Sequence, residues 1–249
     1  MIDTQIHVAI ASYKRAGKVT SLKVLPFAWI WVPESQGDDY RKYYGDRVIT
    51  IPDALDGNLP RKRNAILDKA PCPWVMILDD DLTKIGYFED GTEHVYTPET
   101  LAAMIEAHFL LADEFGCKLW GVNQTYDPLH YRTFTPFSLL SPILGPIGCH
   151  LAPELRYDEQ SGLKEDYDFW LQNILKYHKV LRVNKVHYYH DHGSLPGGVV
   201  SQRTMAYEES SVAYMRQKWG SLFASRSEAG NRRGGDILNS LVKVPISGV

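Results

Sequence analysis

Short apolar runs alternate with amphipathic segments along the first half of the chain. Residues 5 to 12, 28 to 32 and 48 to 51 have the apolar, strand-length character of buried β-strands. Residues 17 to 25, 38 to 44 and 59 to 70 carry helical spacing, and Pro60 suits the first turn of the last. The run Trp74-Val75-Met76-Ile77-Leu78 is apolar throughout, as a strand covered on both faces requires. This order predicts an α/β fold: a mostly parallel, Rossmann-like central sheet with helices on both faces. Farther along, residues 84 to 96 read as a hairpin turning at Asp90-Gly91. Thr97-Pro98-Glu99 starts a helix that runs through Leu101, Ile105, His108 and Ala112 to a stop at Gly116. Residues 118 to 122 form the next strand. The second half mixes loops and short strands with helices over 166 to 177 and 204 to 218, a region appended to the same sheet.

Composition narrows the picture. A chain of 249 residues with 44% hydrophobic content can bury one large core. No repeat, low-complexity stretch or Ser/Gly-rich linker divides it, so a single domain over 1–249 is expected, with halves at 1–122 and 123–249. A net charge of -3 excludes a surface built wholly to hold nucleic acid, though not a local basic groove. Its apolar runs fall short of the roughly 20 residues that cross a bilayer, so no membrane partner and a cytoplasmic location are expected. Cys72, Cys117 and Cys149 lack paired spacing and read as free thiols.

The chemistry concentrates at Asp79, Asp80 and Asp81, directly after the apolar run. Three adjacent anions repel one another unless a positive group offsets them. A strand ending in carboxylates delivers them to the edge where open α/β sheets bind ligands. Mg2+ or Mn2+, which prefer oxygen ligands and carry phosphate oxygens, suit such a cluster. Residues two apart on a strand share a face, so Asp79 and Asp81 converge while Asp80 turns toward the donor or a neighbouring hydrogen-bond donor. Asp81 is the expected metal ligand, and Asp79 a contact to metal or ribose.

Four segments, taken in order, resemble a known family. Val8-Ala9-Ile10-Ala11-Ser12-Tyr13-Lys14-Arg15, Pro60-Arg61-Lys62-Arg63-Asn64-Ala65-Ile66, Val75-Met76-Ile77-Leu78-Asp79-Asp80-Asp81 and Lys164-Glu165-Asp166-Tyr167-Asp168 are similar to the motifs of GT-A glycosyltransferases. The His-rich stretch after Val186 sits where many members supply a further metal ligand. A narrower likeness is to the phage-type glycosyltransferases associated with TET/JBP-like DNA hydroxylases. The resemblance implies a GT-A fold whose first half binds the nucleotide sugar and whose second half holds the acceptor and the catalytic base. It also implies a divalent metal (Mn2+ or Mg2+) as cofactor. The implied partners are a nucleotide-sugar donor such as UDP-glucose and a hydroxymethylpyrimidine in DNA as acceptor, in host cytoplasm if the protein is phage-encoded; the alternatives are a saccharide or glycan acceptor, or a non-catalytic nucleotide- or nucleic-acid-binding module that keeps the fold.

Individual residues follow from that chemistry. Departure of a diphosphate and attack by a hydroxyl call for a cation at the phosphates and a base at the acceptor. Asp166 is the expected base, with Glu165 and Asp168 as substitutes, although acids in a first helical turn also complement the helix dipole. His190 and His192 share a face of an extended segment and are the candidates to complete the metal shell. Arg63 and Asn64 are expected at the nucleotide, while Lys62 reads as part of a solvated helix face. Ser12 and Glu34 follow strands and are expected near the nucleobase; Gly197 and Gly198 permit close backbone approach to the donor. Arg226, Arg232 and Arg233 suggest a basic loop, and Tyr126, Tyr131, Phe134 and Phe137 are available to stack or to pack.

Overall fold

The computed structural model describes residues 5–128, 131–191, 204–225 and 240–246. The first half builds as the pattern predicts. Strands β1 (Ile6–Ala11), β2 (Trp29–Pro33), β3 (Val48–Ile51) and β4 (Trp74–Asp79) alternate with helices α1 (Ser21–Val24), α2 (Gly37–Tyr44) and α3 (Leu59–Lys69). These four strands lie parallel in the order β3-β2-β1-β4. Every residue of β1 is buried, because the sheet is covered on both sides. Val8 and Ile10 join one apolar layer with Met76 and Leu78, while Ala9 and Ala11 join the other with Trp31, Val75 and Ile77.

The remaining elements extend the same sheet. Strands β5 (Leu82–Glu89) and β6 (Thr92–Val95) form the expected hairpin, with Asp90 and Gly91 both at positive φ, as a two-residue turn matched to strand twist requires. Helix α4 (Pro98–Glu114) follows, then β7 (Leu119–Asn123), β8 (Phe137–Ser138), β9 (Ile147–Leu151), α5 (Glu165–Tyr177), β10 (Leu181–His190) and α6 (Met205–Trp219). Strands β11 (Phe223–Ser225) and β12 (Ser240–Val242) pair as a small second sheet. Along the main sheet the order is β3-β2-β1-β4-β9-β7-β10-β5-β6, with β8 pairing β10. Strands β5, β8 and β9 run against the rest.

Two expectations change. The helix expected over 17 to 25 shortens to α1, because the segment before it is pinned to the end of β4. Thr20 N–H donates to the Asp80 carbonyl at 2.9 Å, and the buried Ser21 hydroxyl donates to the Asp79 carbonyl at 2.7 Å. The second half is not a set of short strands beside the sheet. Strand β9 sits at its centre between β4 and β7, and β10 runs for ten residues.

Helix α4 is set by its ends. The Thr97 side chain accepts from Thr100 N–H while Thr100 returns a bond to the Thr97 backbone, and Pro98 occupies the first turn. Gly116, at φ +63°, terminates the segment. Its apolar face buries Leu101, Ile105 and Phe109, with Phe109 stacked on Trp74 at 5.5 Å between centroids. Helices α5 and α6 enclose a second apolar cluster of Phe169, Trp170, Ile174, Val212 and Met215. Cys117 and Cys149 are buried free thiols and Cys72 is half-buried.

Candidate active site

The carboxyl ends of the parallel strands β1, β2 and β4 place Ser12, Glu34 and Asp79 on one edge of the sheet. Asp79 closes β4, and Asp80 and Asp81 form the turn that leads to β5. The three acids then part company. Asp80 points inward, where Ser12 Oγ donates to one of its oxygens and Arg15 Nη1 to the other. Tyr40 Oη lies 2.8 Å from Ser12 Oγ and accepts from Arg15 N–H at 2.7 Å, closing a buried network. Burial raises the Asp80 carboxyl above its ordinary range, and Ser12 and Arg15 oppose that rise. Ser12 and Asp80 are thus spent on protein groups and anchor the strand-end turn.

Asp79 is half-buried and Asp81 is buried. Asp81 Oδ1 lies 4.0 Å from His190 Nδ1, and Arg15 Nη1 lies 3.5 Å from Asp81 Oδ2. A backbone bond from Asp191 N–H to the Asp81 carbonyl, 3.1 Å, holds the end of β10 against the acidic turn. The register between β10 and β5 shifts between Tyr189 and His190: Tyr189 pairs with Lys84 and His190 with Leu82, so the extra residue, Thr83, lies on β5. Burial lowers the His190 pKa, so the imidazole is neutral near pH 7 and can act as a ligand.

Arg63 joins the two halves of the site. Its Nη2 lies 3.4 Å from Asp79 Oδ1 and its Nη1 3.2 Å from Glu165 Oε1, with the guanidinium over the Tyr157 ring at 5.3 Å. Burial opposes its charge, but Tyr157, Glu165 and Asp79 more than offset that, so its pKa is raised. Burial pushes Glu165 up to about 7 even against Arg63. Burial likewise raises the Asp79 carboxyl, with Arg63 opposing the rise. Asp166, beside it at the start of α5, accepts from its neighbour Tyr167 N–H and from Gly145 N–H, each at 2.8 Å. Asp168 lies on the far side of α5, bonded to Trp219 and Gln172 and 2.7 Å from Lys218 Nζ.

Other expected residues sit elsewhere. Asn64 does not open to the cleft; it exchanges two 2.8 Å bonds with the Tyr157 backbone and ties α3 to that segment. Lys62 is buried rather than solvated, bonded to the Ser12 carbonyl and 3.0 Å from Asp56. The Ser12 carbonyl, the Asp56 carboxylate and the face of the Tyr13 ring, 5.3 Å away, take the place of water around that ammonium. Glu34 is exposed at the end of β2. Tyr126 stacks on Tyr189 at 4.3 Å and Tyr131 on Phe88 at 5.7 Å; Phe134 and Phe137 are exposed. His192, Gly197, Gly198, Arg226, Arg232 and Arg233 lie outside the described residues.

Two buried residues beside these acids are not singled out by sequence reasoning. Arg15 stood inside a matched motif without a role, and charge spacing alone could not show that it meets Asp80 and Asp81. Tyr188 shares a face of β10 with His190 by strand alternation, a signal available in His187-Tyr188-Tyr189-His190. Its partner on the opposite face, His187, is fully buried and 3.0 Å from Glu93.

Among the described residues, no three His, Cys, Asp or Glu side chains gather closely enough to hold a metal ion between them. The donor set nevertheless fits Mn2+ or Mg2+. A carboxylate and a neutral imidazole converge at Asp81 and His190, and such ions take their remaining positions from phosphate oxygens and water. No helix among the described residues is long and apolar enough to cross a membrane.

Comparison with known proteins agrees with this architecture. The S. aureus TarS 1–349 crystal structure aligns with a TM-score of 0.51 at 15% identity, over 86% of this chain and 64% of that one. The chain therefore spans just under two thirds of that structure. A mycobacterial protein of known structure aligns with a TM-score of 0.50 at 10% identity, over 86% of this chain and 74% of that one. At these identities the likeness establishes the fold, which is GT-A. No curated protein matches the chain by sequence. The model of one family, TET-associated glycosyltransferase, matches residues 6–198, so the chain belongs to the TET-associated glycosyltransferase family.

Proposed function

We propose that the protein is a metal-dependent glycosyltransferase that moves a sugar from a nucleotide-sugar donor, UDP-glucose or a relative, to the hydroxyl of a 5-hydroxymethylpyrimidine in DNA, with inversion. The observation that carries this reading is the meeting of Asp81 with His190 at the end of β10, beside the Asp79–Arg63–Glu165 chain. On this reading Arg63, within 3.4 Å of Asp79 and 3.2 Å of Glu165, links the donor-side acids to the catalytic-side acids. The DNA acceptor rests on the family description.

Asp81 and His190, assisted by Asp79, would hold Mn2+ or Mg2+. When bound, the ion neutralises charge developing on the departing diphosphate. The protein's own groups do the rest. Arg63 keeps Asp79 and Glu165 at fixed separation. Asp166, oriented by two backbone N–H groups, takes the proton of the attacking hydroxyl. Glu34, exposed directly after β2, is assigned to the nucleobase. Gly197, Gly198 and His192 remain donor-side and metal-side proposals from sequence.

The test is incubation with radiolabelled sugar nucleotides and Mn2+, offered either hydroxymethylcytosine DNA or oligosaccharides. Label in DNA is expected; label only in oligosaccharide would replace the acceptor, and no label in either would sink the reading. Asp81→Ala should abolish transfer and weaken donor binding in Mn2+, and unchanged turnover would remove the metal assignment.

A further inference from the structure

The bend at Gly145 and Pro146, which enters β9, touches three groups of the site that arrive from different elements. Gly145 N–H donates to Asp166 Oδ2 at 2.8 Å. The Pro146 carbonyl accepts from Asp79 N–H at 3.1 Å. The phenol of Tyr188 fills the space beside the Gly145 Cα: a Cβ there would stand 2.3 Å from Tyr188 Oη and 3.3 Å from Cζ. Gly145 is at φ +87°, which favours glycine, and Pro146 stiffens the next residue.

Tyr188 is itself immobilised. It is 2% exposed, and its ring meets His190 edge-on at 5.5 Å. A phenol is uncharged at neutral pH. A neutral group at that place can pack against the bend without adding to the repulsion between the acids.

We propose that Gly145 and Tyr188 are positioning residues for transfer: the phenol seated against Gly145 fixes the bend, and the bend sets Asp166 relative to Asp79. This rests on the reading of Asp166 as the base and Asp79 as a donor-side acid. The separation of those acids fixes how the acceptor hydroxyl meets the donor sugar. A shift of about 1 Å there costs on the order of a hundredfold in rate.

The experiment is a cycle of Gly145→Ala, Tyr188→Phe and the double variant. Gly145→Ala lowers the melting temperature, and adding Tyr188→Phe raises it again by removing the oxygen that the new methyl meets. Tyr188→Phe alone does not raise it. For the substrates that wild-type protein uses, or for hydrolysis of UDP-glucose by water, Gly145→Ala lowers kcat about a hundredfold. UDP-glucose affinity in Mn2+ stays within about threefold, and the double variant regains at least about tenfold in kcat. Exchange of the amide at position 145 reads the hold on Asp166 without any substrate: it quickens in Gly145→Ala and slows in the double variant. A Tyr188→Phe effect of the same sign and size in both backgrounds overturns the proposal. So does a double variant that is as stable as wild type but as inactive, or as fast in amide exchange, as Gly145→Ala. Wild-type protein that neither transfers nor hydrolyses any donor would count against the transferase reading, while melting and exchange still decide on the bend.

Discussion

Arg63 governs the electrostatics of the cleft because it is one cation between two acids that start far apart in sequence. Its competition with burial leaves Glu165 at about 7, above an ordinary value of 4.5. The native state therefore keeps a proton that the unfolded chain releases between those values. That contribution to stability is fully present below about pH 4.5 and is lost as pH rises through about 7. Glu165→Gln should remove this slope, measured as the urea midpoint from acid to neutral pH, and an undiminished slope would mean that another group carries the proton. Asp166 answers to a different assay. Asp166→Asn should keep nucleotide-sugar affinity within about threefold while transfer falls by at least about a hundredfold, and full activity would move the base elsewhere.

Helix α6 locks the start of α5. Lys164, immediately before Glu165, is buried and forms an ion pair with Glu208, whose side chain is 0% exposed. Ser211 Oγ accepts from Leu163 N–H at 3.2 Å, and a Cβ on Gly162, at φ +60°, would collide with that hydroxyl. Removing one member of a buried pair strands the other charge. Glu208→Ala should therefore cost roughly 3–5 kcal/mol in urea unfolding, and should lower transfer because the Glu165–Asp166 segment loses its brace. Replacing both, Lys164→Met with Glu208→Leu, should return stability to within about 1 kcal/mol of wild type. A double variant as unstable as Glu208→Ala would show that the pair is not the determinant.

Across the whole molecule, the sheet does not break between the two halves. Strand β9 from the second half pairs with β4 of the first over five residue pairs, and Ile147, Cys149 and Leu151 enter the same apolar cluster as Ile10 and Leu78. We propose on that basis that the chain is one domain. Urea unfolding should give a single transition, coincident by tryptophan fluorescence and far-ultraviolet circular dichroism. Two separated transitions would divide the chain into independent units.

The sequence by itself determined the elements whose signals are local. Apolar runs gave β1 to β4, Asp90-Gly91 gave the hairpin, and Thr97 with Gly116 bounded α4, since periodicity, capping and left-handed turns depend on near neighbours. It also marked the acids and the His190 segment by type and order. Pairing was beyond its reach. That β9 would enter the centre of the sheet, that Asp80 would turn inward to Ser12 and Arg15, and that Lys62 and Asn64 would be consumed by packing depend on partners 50 or more residues away. Tertiary structure decided these because a buried charge takes the partner that the packed fold brings to it, and no local pattern names that partner.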